Sequence, residues 1–375
     1  MRPAFLEIDL AAVRENVQAI QRAVGPLTAV GAIVKANAYG HGAVEVARAA
    51  IEAGAQMLCV AIVDEGIELR EAGLEAPILV LGPPNTDEAD AALQHDLMQA
   101  VSDPCHASII AHAARRAGRC ARVHVKLDTG MGRHGARPGV AEILARLLAA
   151  NHHLEVAGVF SHFADAYEPE LCWAGHQLDE FLRLSAWFGA GEEGGPMLHL
   201  CNSVGLLRMA GARLDMVRPG SILYGFNPGF DPALMPDGIR PVASLKTQIG
   251  TVKLVEAGEP VGYGCTWRAP HDSCIAVLPL GYADGYPRTL SSNAEVLISG
   301  RRCPVVGRIS MDAITVDATD ADSVGVGDEA VLIGAQGDER ITIEELARRA
   351  GTIGEEITSR LSRRLPRVYL SRSDT

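Results

Sequence analysis

The sequence predicts an α/β chain: an N-terminal (β/α)8 TIM-like barrel followed by a mostly β C-terminal domain. Three observations carry this. Eight short apolar runs between residues 30 and 225 alternate with Ala-, Leu- and Arg-rich segments of helical period. The runs are mostly continuous, which suits parallel strands buried on both faces. A stretch dense in Pro and Gly, "GFNPGFDPALMPDGIRP" at 225–241, then marks a linker, and beyond it the pattern alternates between Gly and Asp turns. An open doubly wound sheet is the runner-up, but no GxGxxG follows a strand.

The elements follow in order. Leu10, Val13, Val17, Ile20 and Val24 recur at helical spacing, with Asp9 as the N-cap and Gly25-Pro26 as the stop. The barrel runs are "VGAIVKA" (30–36), "QMLCVAIV" (56–63), "PILVLG" (77–82), "MQAVSD" (98–103), "RVHVKLD" (122–128), "LEVAGVFSHF" (154–163), "MLHLCNS" (197–203) and "MVRPGSILYG" (216–225). After the linker, "SLKTQIGTVKLV", "CIAVLPLGYADGY", "AEVLISGRRCPVVGRISMDAITVDA" and "DEAVLIGA" read as antiparallel strands. One short helix, "TIEELARRAG", interrupts them, with Thr342 and Glu345 at capping-box spacing. The expected domains are 1–235 and 236–375, with residues 1–10 pairing with the second.

Bulk properties exclude several classes. The net charge is −12, from 34 basic and 46 acidic residues, which argues against a nucleic-acid partner. No apolar run reaches the length of a membrane span. The opening "MRPAFLEIDLAAV" lacks the basic-then-apolar pattern of a signal peptide. Eight cysteines are scattered without a CxxC pair, so neither a zinc site nor a disulfide framework is expected. Cytoplasmic location fits these features.

Polar residues gather where strands end, the rim that carries catalysis in this fold. Lys35 ends the first run, and Asp128, Met131 and Arg133 follow the fifth. Ser161 and His162 end the sixth, Asn202 and Ser203 the seventh, and Arg218, Gly220 and Ser221 the eighth. Each has a bland reading. Lys35 points into water, His162 is a bonded core histidine, Asn202 and Ser203 cap a helix, Arg133 pairs with Asp128, and Arg-Pro-Gly is a turn. Their convergence on one rim favours chemistry. A desolvated lysine is a nucleophile toward aldehydes. Amides of Gly220 and Ser221 with hydroxyls of Ser203 and Tyr39 would cradle an anion. Schiff base, phosphate cradle and aromatic-sized pocket suggest pyridoxal 5′-phosphate. No HExxH or other ligand spacing supports a metal, and no GxSxG supports a serine hydrolase.

"AIVKANAYGHG", "KLDTGMGRHG", "SHFA", "CNS", "VRPGSILYG", "VGYGCTW", "GYADGYPR", "VGRISMD" and "RLPRVY" together resemble bacterial alanine racemase over nearly the whole chain. The resemblance implies a homodimer whose active site joins the barrel mouth of one subunit to the β domain of the other. It implies racemisation of alanine through an external aldimine by two bases. Lys35 is then the cofactor lysine and one base, and Tyr263 from the partner is the other. Arg218 faces the pyridine nitrogen, and His162 lies between Tyr263 and Arg218. Tyr39, Ser203, Gly220 and Ser221 bind the phosphate, and Arg133 with the Met311 amide holds the substrate carboxylate. Lys126 matches a lysine carbamylated in many members, and Tyr282 and Asp312 match the entrance.

Three positions depart from the family. Glu355 stands where Tyr reaches the phosphate, Gly262 where Ser is frequent, and Ser221 where an aliphatic residue is common. A carboxylate facing a phosphate is repelled, so Glu355 is expected to turn away or another group to substitute, and serine becomes an alternative substrate, as does a broader amino-acid range. Two rivals are weaker. A non-catalytic pyridoxal phosphate homeostasis protein lacks the β domain, and a fold-related decarboxylase uses a cysteine and an acidic ring-nitrogen partner.

Overall fold

The computed structural model describes residues 3–371, so residues 1–2 and 372–375 of the two expected domains lie outside it. Strand β1 (Phe5–Asp9) leads into helix α1 (Leu10–Val24). Asp9 caps α1 by accepting from the Ala12 amide at 2.9 Å, and Gly25, at φ 90°, ends it. The apolar stripe Leu10, Val13, Val17, Ile20 and Val24 is buried.

Eight strands follow: β2 (Ala29–Ile33), β3 (Met57–Val60), β4 (Ile78–Val80), β5 (Met98–Val101), β6 (Ala121–Lys126), β7 (Leu154–Phe160), β8 (Met197–His199) and β9 (Met216–Val217). All pair in parallel in the order β8-β7-β6-β5-β4-β3-β2-β9. Main-chain bonds Asp215 N to Leu198 O (3.1 Å) and Arg218 N to Cys201 O (2.9 Å) bring β9 back to β8 and close the ring. Ile33, Met57, Cys59, Leu79, Met98 and Met216 fill part of the barrel interior. The last run is strand only at 216–217, because Pro219 has no N–H for a ladder, and Ser221–Tyr224 turns instead as a 3-10 helix.

The linker 225–241 holds only a 3-10 turn at Pro232–Leu234. Buried Asn16 of α1 ties down its end, donating to Leu223 O (3.0 Å) and Arg240 O (2.9 Å) and accepting from Arg240 N. The second unit is a seven-stranded sheet with a three-stranded sheet, Thr251–Val255, Ser273–Leu278 and Ile314–Asp317, and a hairpin, Pro260–Val261 with Trp267–Arg268. In the larger sheet, β1 lies antiparallel to β10 (Ala243–Gln248) and parallel to Arg367–Leu370. Strand β1 is thus paired on both sides within the sheet of the second unit.

Two expectations need correction here. Thr342 accepts from Glu345 N (3.1 Å), but Glu345 does not complete the capping box, because its carboxylate pairs with Arg302 (2.9 Å) and Arg349 (3.0 Å). Nor is Ile343–Ala350 the one helix of this unit. A second, Gly354–Ser359, packs on the barrel turn after Lys35, where a Cβ on Gly40 would collide with Thr358 O.

Candidate active site

Lys35 lies two residues beyond β2, at the start of an unusual turn. Ala36, Asn37, Ala38 and Tyr39 all have φ between 51° and 54°, so four consecutive non-glycine residues are left-handed. Glu65 anchors the turn: its Oε1 accepts from Ala36 N (2.6 Å) and its Oε2 from Ala61 N (2.7 Å). Bonds from Ala38 N to Val34 O (2.8 Å) and Gly40 N to Ala36 O (2.9 Å) continue it, and Arg367 Nη2 reaches across to Gly40 O (2.9 Å). The water-pointing reading of Lys35 therefore fails. Its side chain is half-buried, and burial, then Arg133, lowers its pKa while Glu65 opposes them.

The turn opens onto a cleft of about 390 Å³. Lys35, Lys126, Arg133, His162 and Arg218 line it together with Tyr39, Ser203, Gly220 and Ser221. Arg218 is 3 % exposed and heavily bonded. Its Nη1 donates to His199 Nδ1 (2.7 Å), and its Nη2 to Ser161 O (2.6 Å), Leu200 O (3.2 Å) and His162 Nδ1 (3.4 Å). Because arginine only donates, His199 Nδ1 must accept, so its proton sits on Nε2 and is given to His124 Nδ1 at 2.8 Å. Burial, then Arg218, holds His162 and His199 well below their usual pKa. Burial lowers Arg218 itself to about 10, still charged at neutral pH. Lys126 is lowered to about 8 by burial, then by Arg133, Arg218 and Lys35.

At the opposite end, Ser203 Oγ accepts from Gly220 N (2.9 Å), leaving its own hydrogen to be given elsewhere. Asn202 keeps its capping role, accepting from Gly205 N (2.9 Å). Arg133 does not pair with Asp128. That carboxylate takes Arg137 (3.3 Å) and the amides of Gly130 and Gly132, and Arg133 is exposed to the cleft. Glu355 does not turn away either: it lines the cleft, and its Oε1 accepts from Ser221 Oγ. The helix Gly354–Ser359 is pinned against the barrel turn, which sets Glu355 at the cleft.

Tyr263, Tyr282, Met311 and Asp312 are not in the cleft lining of a single chain. Tyr263 sits between Gly262 and Gly264, both at φ 76°, and is 70 % exposed. Met311 is 53 % and Tyr282 41 % exposed. Tyr282 N to Ser310 O (3.1 Å), Ala283 N to Met311 O (3.0 Å) and Arg364 to Asp312 (2.6 Å) stitch three of these residues onto one rim. Sequence reasoning passed over Glu65, His124, Tyr167 and His199. The polar residues inside apolar runs, His124 in "RVHVKLD" and His199 in "MLHLCNS", were the available signal.

Among the described residues no cluster of His, Cys, Asp and Glu could hold a metal, and no helix is long and apolar enough to cross a membrane. The alanine racemase N-terminal domain family matches residues 8–228, and its C-terminal domain counterpart matches 242–369. An alanine racemase of Symbiobacterium thermophilum is 48 % identical over 98 % of this chain and 97 % of that protein. The crystal structure of alanine racemase from Streptomyces lavendulae superposes with a TM-score of 0.92 at 39 % identity, covering 99 % of this chain and 98 % of that one. That of Bartonella henselae alanine racemase, with covalently bound pyridoxal phosphate, gives 0.89 at 29 % identity, over 99 % and 100 %. The chain belongs to the alanine racemase family.

Proposed function

We propose that this chain interconverts L- and D-alanine with pyridoxal 5′-phosphate bound through Lys35. The observation that carries the reading is one cleft holding a half-buried amine of lowered pKa at a cationic end and hydroxyls around a glycine at the other. The residues fit the cofactor. A Cβ on Gly220 would stand 2.7 Å from the Tyr39 hydroxyl, so glycine keeps the cradle open. The Ser203 hydroxyl has a hydrogen to give an anion there.

The bound cofactor supplies an electron sink that acidifies the α-hydrogen of an amino acid. The Lys35 amine, whose charged form burial and then Arg133 disfavour, takes or returns the proton on one face of the α-carbon. Tyr263 of a second copy serves the other face. Its 70 % exposure and its place outside the single-chain cleft support a shared site in a homodimer. Arg133, without an ion pair among the described residues, binds the substrate carboxylate with the Met311 amide. Arg218 donates to His199 and keeps its own protons, so it would hold the ring nitrogen without protonating it. His162 accepts from Arg218 at 3.4 Å and stays neutral. Lys126, at about 8, is partly an unprotonated amine that carbon dioxide can carbamylate, giving Arg133 a partner. Tyr282 and Asp312 line the entrance. The division at 235/236 assigns the cofactor to the first unit and the second base to the other. Eight unpaired thiols support a reducing, cytoplasmic setting.

Serine is the alternative substrate, raised by Glu355 standing where the family has Tyr. The test is incubation in D2O with pyridoxal phosphate and L-alanine or L-serine, reading D-enantiomer and α-deuterium together. D-alanine carrying deuterium is expected, with loss in Lys35→Ala and Tyr263→Phe. A protein that binds the cofactor yet neither racemises nor exchanges either amino acid would overturn the proposal.

A further inference from the structure

The hydroxyl-lined end of the cleft contains a carboxyl group of the protein's own. Glu355 enters from the helix Gly354–Ser359, and its Oε1 is taken by Ser221 Oγ. Its Oε2 is buried and has no hydrogen-bond partner among the described residues. No lysine or arginine among the described residues pairs with it. The groups facing it are Tyr39 from the left-handed turn, Tyr167 with Asp165 from the loop after β7, and Ser221. On its own helix, Glu356 is engaged with Thr352 and Arg360. Burial, then the charge on Glu355, pushes the Tyr39 phenol up, and does the same to Tyr167, to about 12. Neither phenol therefore gains or loses a proton near neutrality.

A buried carboxylate oxygen without a donor costs about 1–3 kcal/mol or more if charged. A phosphate dianion placed beside it adds repulsion, and no lysine or arginine among the described residues is paired with the carboxylate to offset it. A carboxylic acid removes both difficulties, because its O–H is a donor aimed at a phosphate oxygen.

We propose that Glu355 binds the cofactor phosphate as a proton-carrying pair: Oε1 accepts from Ser221, and one solvent-derived proton is held between Oε2 and a phosphate oxygen. Phosphate capture therefore takes up one proton and weakens as pH rises. Ser221 and Glu355 act together: the hydroxyl fixes which carboxyl oxygen is left to face the phosphate. This inference rests on the pyridoxal phosphate reading of the site.

The test is reconstitution of apoenzyme with pyridoxal phosphate and, separately, with phosphate-free pyridoxal between pH 7 and 9, read by absorbance. Titration of Lys35 affects both aldehydes alike, so the ratio of their Kd values isolates the phosphate end. In the wild type the advantage of the phosphate form should fall by about tenfold per pH unit. Glu355→Gln keeps an acceptor for Ser221 and a donor for phosphate, so its ratio should be flat and exceed that of the wild type at pH 9. Calorimetry in two buffers of different ionisation heat should count one more proton taken up by the wild type than by the variant, the Lys35 contribution being common to both. Equal slopes and equal proton counts in the two proteins would overturn the inference. Failure of the wild type to bind either aldehyde at Lys35 would instead overturn the cofactor reading beneath it.

Discussion

Replacing Glu65 with alanine should release the turn that presents Lys35. The turn holds four left-handed non-glycine residues, each costing about 1–2 kcal/mol, or roughly 4–8 kcal/mol together. Glu65 ties its first residue, Ala36, to the end of β3 through bonds of 2.6 and 2.7 Å. Hydrogen bonds to a charged group contribute about 1.5–3 kcal/mol each. Ala36 is exposed, so its amide recovers water when the carboxylate is removed, and a net loss of about 3 kcal/mol in local opening follows. At 1.4 kcal/mol per factor of ten, amides of Ala38, Gly40 and Gly42 should exchange with deuterium about 100-fold faster. Glu65→Gln keeps one acceptor but turns an NH2 toward the second amide, so its rates should fall between. The Lys35 amine should also titrate at lower pH, because the charge on Glu65 favours the ammonium. Its reaction with pyridoxal in the apoenzyme reports that shift. Exchange within about threefold of wild type, with an unmoved amine titration, would refute the anchoring role.

Three further outcomes follow from the same geometry. The Lys126 ammonium is disfavoured in the fold, so between about pH 8 and its ordinary value of 10.5 the unfolded chain holds more protons and stability rises with pH; at about 1.4 kcal/mol per unit this amounts to about 3 kcal/mol, and Lys126→Met should lose that slope in urea titrations under CO2-free conditions. Carbon-13 bicarbonate should give a carbamate resonance in the wild type that is absent from Lys126→Gln. Gly158→Ala drives a Cβ into the His124 ring, breaking its bond to His199, and should lower stability by about 2–4 kcal/mol while weakening the hold on Arg218; an unchanged urea midpoint would count against the buried histidine chain.

Much of the molecule was legible without coordinates. Continuous apolar runs alternating with helical periods mark a parallel sheet covered on both faces, and eight of them fit a closed barrel. Asp9, Asn202 and Thr342 cap helices as their local patterns indicate, since capping depends on bonds only a few residues long. The barrel-rim residues Lys35, His162, Ser203 and Arg218 share one cleft because strand ends in this fold converge. What the tertiary structure decided is the pairing of groups far apart in sequence. Asp128 had both Arg133 and Arg137 within reach, and the loop's path chose Arg137. Glu345 left its capping position because Arg302, from another strand, offered charge. Glu65 became the anchor of a turn that begins 29 residues earlier. Glu355 was placed in the cleft, rather than away from it, by packing of its helix on the turn at Gly40. Local sequence sets which elements form; Coulomb and packing energies between distant elements set which charged groups face one another, and no local pattern encodes that choice.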